Sequence, residues 1–116
     1  MFWMRYTVQR DGTLTDAKLF FDAGAYAHHG APDGMKVDQE GNVYSAGPGG
    51  VWIFSPDGKH LGSIAIPEPV GNLAWGGADH KTLYIAASTS IIAFSSISPA
   101  SFRTSVEPLE SHRPGD

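Results

Sequence analysis

A repeat with a period of about forty residues constrains this chain more than any single motif in it. Gly34-Met35-Lys36-Val37-Asp38, a turn and then Asn42-Val43-Tyr44-Ser45-Ala46 lead into Val51-Trp52-Ile53-Phe54. One unit later, Asn72-Leu73-Ala74-Trp75, a turn and Thr82-Leu83-Tyr84-Ile85-Ala86 lead into Ile91-Ile92-Ala93-Phe94. Tyr44 and Tyr84 stand 40 positions apart, and the turn pairs Asp11-Gly12 and Asp57-Gly58 stand 46 apart. A unit of roughly 40–45 residues carrying four short strands is what propeller blades show.

The apolar runs between the Gly, Asn and Asp clusters are strand-length, rich in aromatic and β-branched residues, and without a sustained helical period. Gly and Pro together fill 14 + 8 = 22 of the 116 positions, which argues against a plain helical bundle. The fold class is therefore all-β, a partial β-propeller of about two to three four-stranded blades. Asp11-Gly12, Asp33-Gly34 and Asp57-Gly58 read as tight-turn pairs. Leu83-Tyr84-Ile85-Ala86-Ala87 reads as a strand covered on both faces by neighbouring blades. Residues 1–94 form the partial propeller: the last two strands of one blade (2–21), a full blade (34–66) and three strands of another (72–94). Residues 95–116, rich in Ser and Pro, read as a disordered tail. Closed propellers need about four to eight blades, so this count predicts part of a larger ring with an apolar blade face bare at each end.

Composition excludes several classes of function. With 8 basic against 12 acidic residues the formal charge is −4, so no nucleic-acid partner held by bulk charge is expected. Zero cysteines remove disulfides, thiolate metal sites and cysteine nucleophiles. No apolar run reaches membrane-spanning length, and Met1-Phe2-Trp3-Met4-Arg5-Tyr6 lacks the pattern of a signal peptide, so no membrane partner and a cytoplasmic location are expected. Gly47-Pro48-Gly49-Gly50 leads into a strand and lacks the Gly-Lys-Ser/Thr ending of a phosphate loop, so it reads as a hairpin connection. No Gly-x-Ser-x-Gly elbow is present to support a serine hydrolase.

Pro32-Asp33-Gly34-Met35-Lys36-Val37-Asp38, then Glu40-Gly41-Asn42-Val43-Tyr44, then Gly47-Pro48-Gly49-Gly50-Val51-Trp52-Ile53-Phe54 resembles the gluconolactonase branch of the senescence marker protein (regucalcin-like) family. Asn72-Leu73-Ala74-Trp75-Gly76-Gly77, Lys81-Thr82-Leu83-Tyr84-Ile85 and the upstream Arg10-Asp11-Gly12-Thr13-Leu14 continue the resemblance, which spans roughly residues 2–94. It implies a six-bladed propeller with one divalent metal ion, calcium or zinc, in its channel, acting as a hydrolase on a small-molecule sugar lactone. The family's ligands are an early Glu, a middle Asn and the Asp of Pro-Asp-Gly. Only the last is present, as Asp33, so the cation is expected only if other blades or subunits complete the site; Glu40 and Asn42 are not assigned those roles.

By this resemblance Asp33 is a metal ligand, a general base, or both; read from the residues alone, it caps the backbone of its own Asp-Gly turn. Residues 38–42 read as a turn between strands, because the alternating oxygens of a calcium loop are missing. His29 lines the channel mouth and contacts substrate, or, with His28, is an exposed loop histidine; neighbours on an extended segment point oppositely and cannot share one ion. Asn72 touches substrate, or satisfies backbone groups at a strand start. Trp3, Trp52 and Trp75 read as packing between blades, and His60, His80 and His112 receive no role. Three readings follow: the C-terminal part of a lactone hydrolase whose N-terminal blades are missing, a catalytically incomplete module that closes its ring as a homo-oligomer or with a partner, or a product without independent function.

Overall fold

The computed structural model describes residues 1–24, 26 and 28–95, and among these every regular element is a strand. β1 (Phe2–Val8) and β2 (Leu14–Asp22) form a two-stranded sheet. β3 (Met35–Val37), β4 (Val43–Gly47), β5 (Gly50–Phe54) and β6 (His60–Ala65) follow as a four-stranded antiparallel meander in chain order. β7 (Val70–Gly76), β8 (Thr82–Ala87) and β9 (Ile91–Phe94) make a three-stranded one. The sheets stack face to face as successive blades, so the architecture is a partial propeller. Apart from Ser95, the expected tail over 95–116 lies outside the described residues.

Local chemistry sets the hairpins. Gly12 and Gly58 adopt φ of 86° and 89°, a left-handed backbone that glycine enters without steric cost. The β1–β2 and β5–β6 hairpins turn on these two glycines. Asp33-Gly34 does not behave like them, which corrects the tight-turn reading. Gly34 has no positive φ; its N–H donates to the Gly71 carbonyl at 3.0 Å and its own carbonyl accepts from Ala46 N–H at 3.0 Å. With a backbone acceptor on one side and a donor on the other, Gly34 continues the pairing of β3. The turn at 38–42 is present, closed by Asp38 N–H to the Asn42 carbonyl and Gly41 N–H to the Asp38 carbonyl.

Two clusters of apolar side chains hold the blades together. Tyr44, Ala46, Val51 and Ile53 of the four-stranded sheet pack against Leu73, Leu83 and Ile85 of the three-stranded one. On the opposite face, Trp52 and Phe54 pack against Trp3, Phe20 and Phe21 of the first sheet. The Trp3 Nε1–H donates to Ser45 Oγ at 2.8 Å, and the Trp52 Nε1–H to the Pro48 carbonyl at 2.7 Å, so both buried indoles are satisfied. Covered on both sides, β5 is buried at every position. β8 is not: Leu83 and Ile85 are buried while Tyr84 is exposed. The expectation that the 83–87 run is covered on both faces is thus corrected, because no described sheet lies against its far side.

His60 stacks on Trp52 with ring centroids 4.3 Å apart and planes 10° from parallel, and its Nε2 lies 2.9 Å from Ser63 Oγ. Burial holds its pKa below the ordinary 6.5. The unfolded chain therefore takes up this proton first. Stability from this group is fully present above about pH 6.5, falls as the pH drops below that value, and levels off once the folded form also protonates. Denaturant melts between about pH 5 and 8 should show this slope, and His60→Phe should remove that part of it.

Candidate functional site

The strand registers bring the sequence-selected residues to one rim. Met35 pairs with Ser45, Gly47 with Gly50 and Gly50 with Ala65, so the start of β3, the β4–β5 turn and the end of β6 share one end of the blade. Val70 pairs with Ala87 and Ala86 with Ile91, which puts the start of β7 and the β8–β9 turn at one end of the next blade. The Gly34–Gly71 hydrogen bond locks the two ends side by side. Gly34, between Asp33 and the start of β3, and Asn72, the third residue of β7, are thereby neighbours across the two innermost strands.

Gly34 makes this approach possible. A Cβ at position 34 would lie 2.1 Å from Asn72 Oδ1 and 2.9 Å from Asn72 Cα, and the second contact is backbone that a side-chain rotation cannot relieve. Gly34→Ala is expected to cost about 1–3 kcal/mol and to push β3 away from β7. Denaturant melts would read the first effect; an amide at position 34 that exchanges with solvent as slowly in the variant as in the wild type would contradict the second.

Asp33 differs from the other described aspartates by what it does not do. Asp11 accepts from Thr13 N–H and Oγ, Asp16 from Thr15 Oγ, Asp22 from Gly24 N–H, Asp57 from Ser55 Oγ, and Asp79 from Lys81 N–H. Asp38 accepts from the Glu40 and Asn42 amides, the Asn42 side chain and the Tyr44 hydroxyl. Burial, aided by that carboxylate, pushes the Tyr44 phenol well above its ordinary range. Asp33 is exposed, and no described residue donates a hydrogen bond to its carboxylate. Its oxygens are open to a partner outside the described residues.

Asn72 is exposed, with its Oδ1 accepting from Leu73 N–H at 2.9 Å. His29 is half-buried and engaged twice: its Nε2 lies 2.9 Å from the Ile66 carbonyl, and its own carbonyl accepts from Gly49 N–H at 2.7 Å. Ile66 N–H in turn donates to the Gly49 carbonyl at 3.0 Å. His29 therefore clasps the loop that carries Asp33 to the β4–β5 turn and to the end of β6.

Glu68, which sequence reasoning missed, does the same work one blade on. Its carboxylate accepts from Thr89 Oγ1 at 2.6 Å and Thr89 N–H at 3.2 Å, clasping the segment before β7 to the β8–β9 turn. The Thr89 hydroxyl is the main reason its pKa lies below the ordinary carboxylate value. The repeat was the signal available: His29 precedes Gly49 by 20 residues and Glu68 precedes Thr89 by 21.

A hard divalent cation takes about six oxygen ligands or more. The rim offers the Asp33 carboxylate and an Asn72 oxygen already engaged with Leu73. Among the described residues no three His, Cys, Asp or Glu side chains gather closely enough to hold a metal ion. The described residues alone do not fit such a cation.

Comparison with known proteins agrees with this fold. The family described as the SMP-30/Gluconolactonase/LRE-like region matches residues 2–89. A gluconolactonase of Zymomonas mobilis is 40% identical over 77 residues, 65% of this chain and 20% of that protein. A 6-deoxy-6-sulfogluconolactonase of Pseudomonas putida is 37% identical over 87 residues, 72% of this chain and 30% of that protein. The solved structure of a gluconolactonase from Xanthomonas campestris superposes with a TM-score of 0.63 and 30% identity, covering 75% of this chain and 28% of that one. The chain thus spans about a fifth to a third of the relatives it matches.

Proposed function

The chain belongs to the SMP-30/gluconolactonase/LRE-like family, and from that membership we propose that it is the portion of a sugar-lactone hydrolase that supplies Asp33 to the active site. The observation that carries this is the open Asp33 carboxylate, set at the rim beside Asn72 while the other described aspartates are engaged in hydrogen bonds. In the reaction a water oxygen adds to the lactone carbonyl carbon and its proton passes to Asp33. The ring carbon–oxygen bond then breaks, the departing oxygen takes up a proton, and the product is the open hydroxy acid. Asn72, packed against the Gly34 that follows Asp33, meets a hydroxyl of the same sugar. His29, engaged by Ile66 and Gly49, holds the loop in place. A divalent cation, calcium or zinc by the resemblance, belongs to this reading only with ligands from outside the described residues, Asp33 contributing one.

The test is a graft. Residues 2–89 replace the matching stretch of the Zymomonas gluconolactonase, and acid release from gluconolactone is followed at constant pH. The proposal expects the folded graft to open the lactone well above the spontaneous rate. A folded graft that leaves the spontaneous rate unchanged contradicts it.

A further inference from the structure

The two outermost faces of the described structure are the two halves of a contact that the chain already makes with itself. In the four-stranded sheet, Tyr44 pairs with Ile53 and Ala46 with Val51, and these four form the face that the next blade covers. Forty residues on, Tyr84 pairs with Ala93 and Ala86 with Ile91 in the same register. Tyr44 is 1% and Val51 0% exposed, whereas Tyr84 is 42% and Ile91 73% exposed. The receiving half of the blade contact is therefore repeated and left uncovered. The inserting half is also repeated. Trp52 and Phe54 present it toward the first sheet, and Ile92 and Phe94 present it toward the four-stranded one. Aligning Asp11-Gly12 with Asp57-Gly58 places Tyr6 and Val8 at the positions of Trp52 and Phe54, and both are exposed, at 45% and 70%.

We infer that copies of this chain associate head to tail, the Tyr6/Val8 face of one copy docking on the Tyr84/Ile91 face of the next. A second copy is the occupant because this one chain carries both halves of the contact, each with a buried counterpart inside the same chain. The contact joins unlike faces, so it closes into a ring if the blade rotation permits and otherwise extends as an open array. The inference stands independently of lactone hydrolysis; in a closed ring each copy would bring its own Asp33 to the common axis.

Sedimentation velocity over about 1–100 µM chain, within the range of transient to stable contacts, tests it. The wild type is expected to exceed the 12.4 kDa of one chain increasingly with concentration. Val8→Asp and Ile91→Asp each damage one half, so each alone should raise the dissociation constant about tenfold or more. An equimolar mixture should recover dimers and stop there, because each variant retains the half that the other lacks. Both positions are exposed, and the near-ultraviolet dichroism of the Trp3/Trp52/Phe54 cluster reports whether the fold survives; Tyr6→Lys and Tyr84→Lys replace any variant that loses it. A wild type that stays at one chain's mass throughout, variants that assemble like the wild type, or a mixture that remains monomeric overturns the inference.

Discussion

Replacing Trp52 by alanine is expected to cost about 3–5 kcal/mol and to lower the melting temperature by roughly 10–20 °C. Trp52 is fully buried at the junction of the first two blades. Its ring meets Tyr26 at 4.8 Å, Trp3 at 5.6 Å, Phe21 at 5.8 Å and the stacked His60 at 4.3 Å. Removing it opens a cavity bounded by rigid rings that cannot collapse inward, and leaves the Pro48 carbonyl without its donor. A domain of this size is stable by only about 5–15 kcal/mol, so the loss is a large share. Trp52→Phe keeps most of the ring contact while losing the hydrogen bond, and should cost clearly less. Equal costs for the two variants in denaturant melts would mean that the blades are not held together by this aromatic junction.

Asp33→Asn in the grafted propeller is expected to lower the rate of lactone opening by about 10²–10⁴. Asparagine preserves size and shape but cannot take a proton from water near neutral pH. The same change should leave stability nearly untouched, because the carboxylate is exposed and receives no hydrogen bond from a described residue. A rate loss of that size with an unchanged melt separates a chemical role from a structural one. Rates within about threefold of the parent graft, less than 1 kcal/mol of transition-state stabilisation, would remove Asp33 from the reaction.

The strands and their stacking were legible in the sequence because both depend on short-range pattern. Aromatic and β-branched runs cut by Gly and Asp specify strands, and the spacing from Tyr44 to Tyr84 specifies a repeated sheet. Asp33-Gly34 was misread because the dipeptide itself is ambiguous. What extends it is a carbonyl at Gly71 and an amide at Ala46, both distant in sequence. His29 was hidden for the same reason, its ring being committed to a carbonyl 37 residues away. The uncovered side of β8 was legible only in the blade count, which predicts a bare face at each end; the strand's own sequence records that it is built for two neighbours and not whether both are present. Asp33 could be singled out only through its Pro-Asp-Gly context; the structure adds that its carboxylate differs from those of the other described aspartates in having no described donor.

The most direct measurement compares acid release from gluconolactone by three grafts at one pH: the parent, Asp33→Asn and Asp11→Asn. Asp11 is also followed by glycine, but its carboxylate is engaged by Thr13. The account predicts that the Asp11 variant keeps the parent rate while the Asp33 variant falls by at least about a hundredfold. Equal rates for all three folded grafts would contradict it.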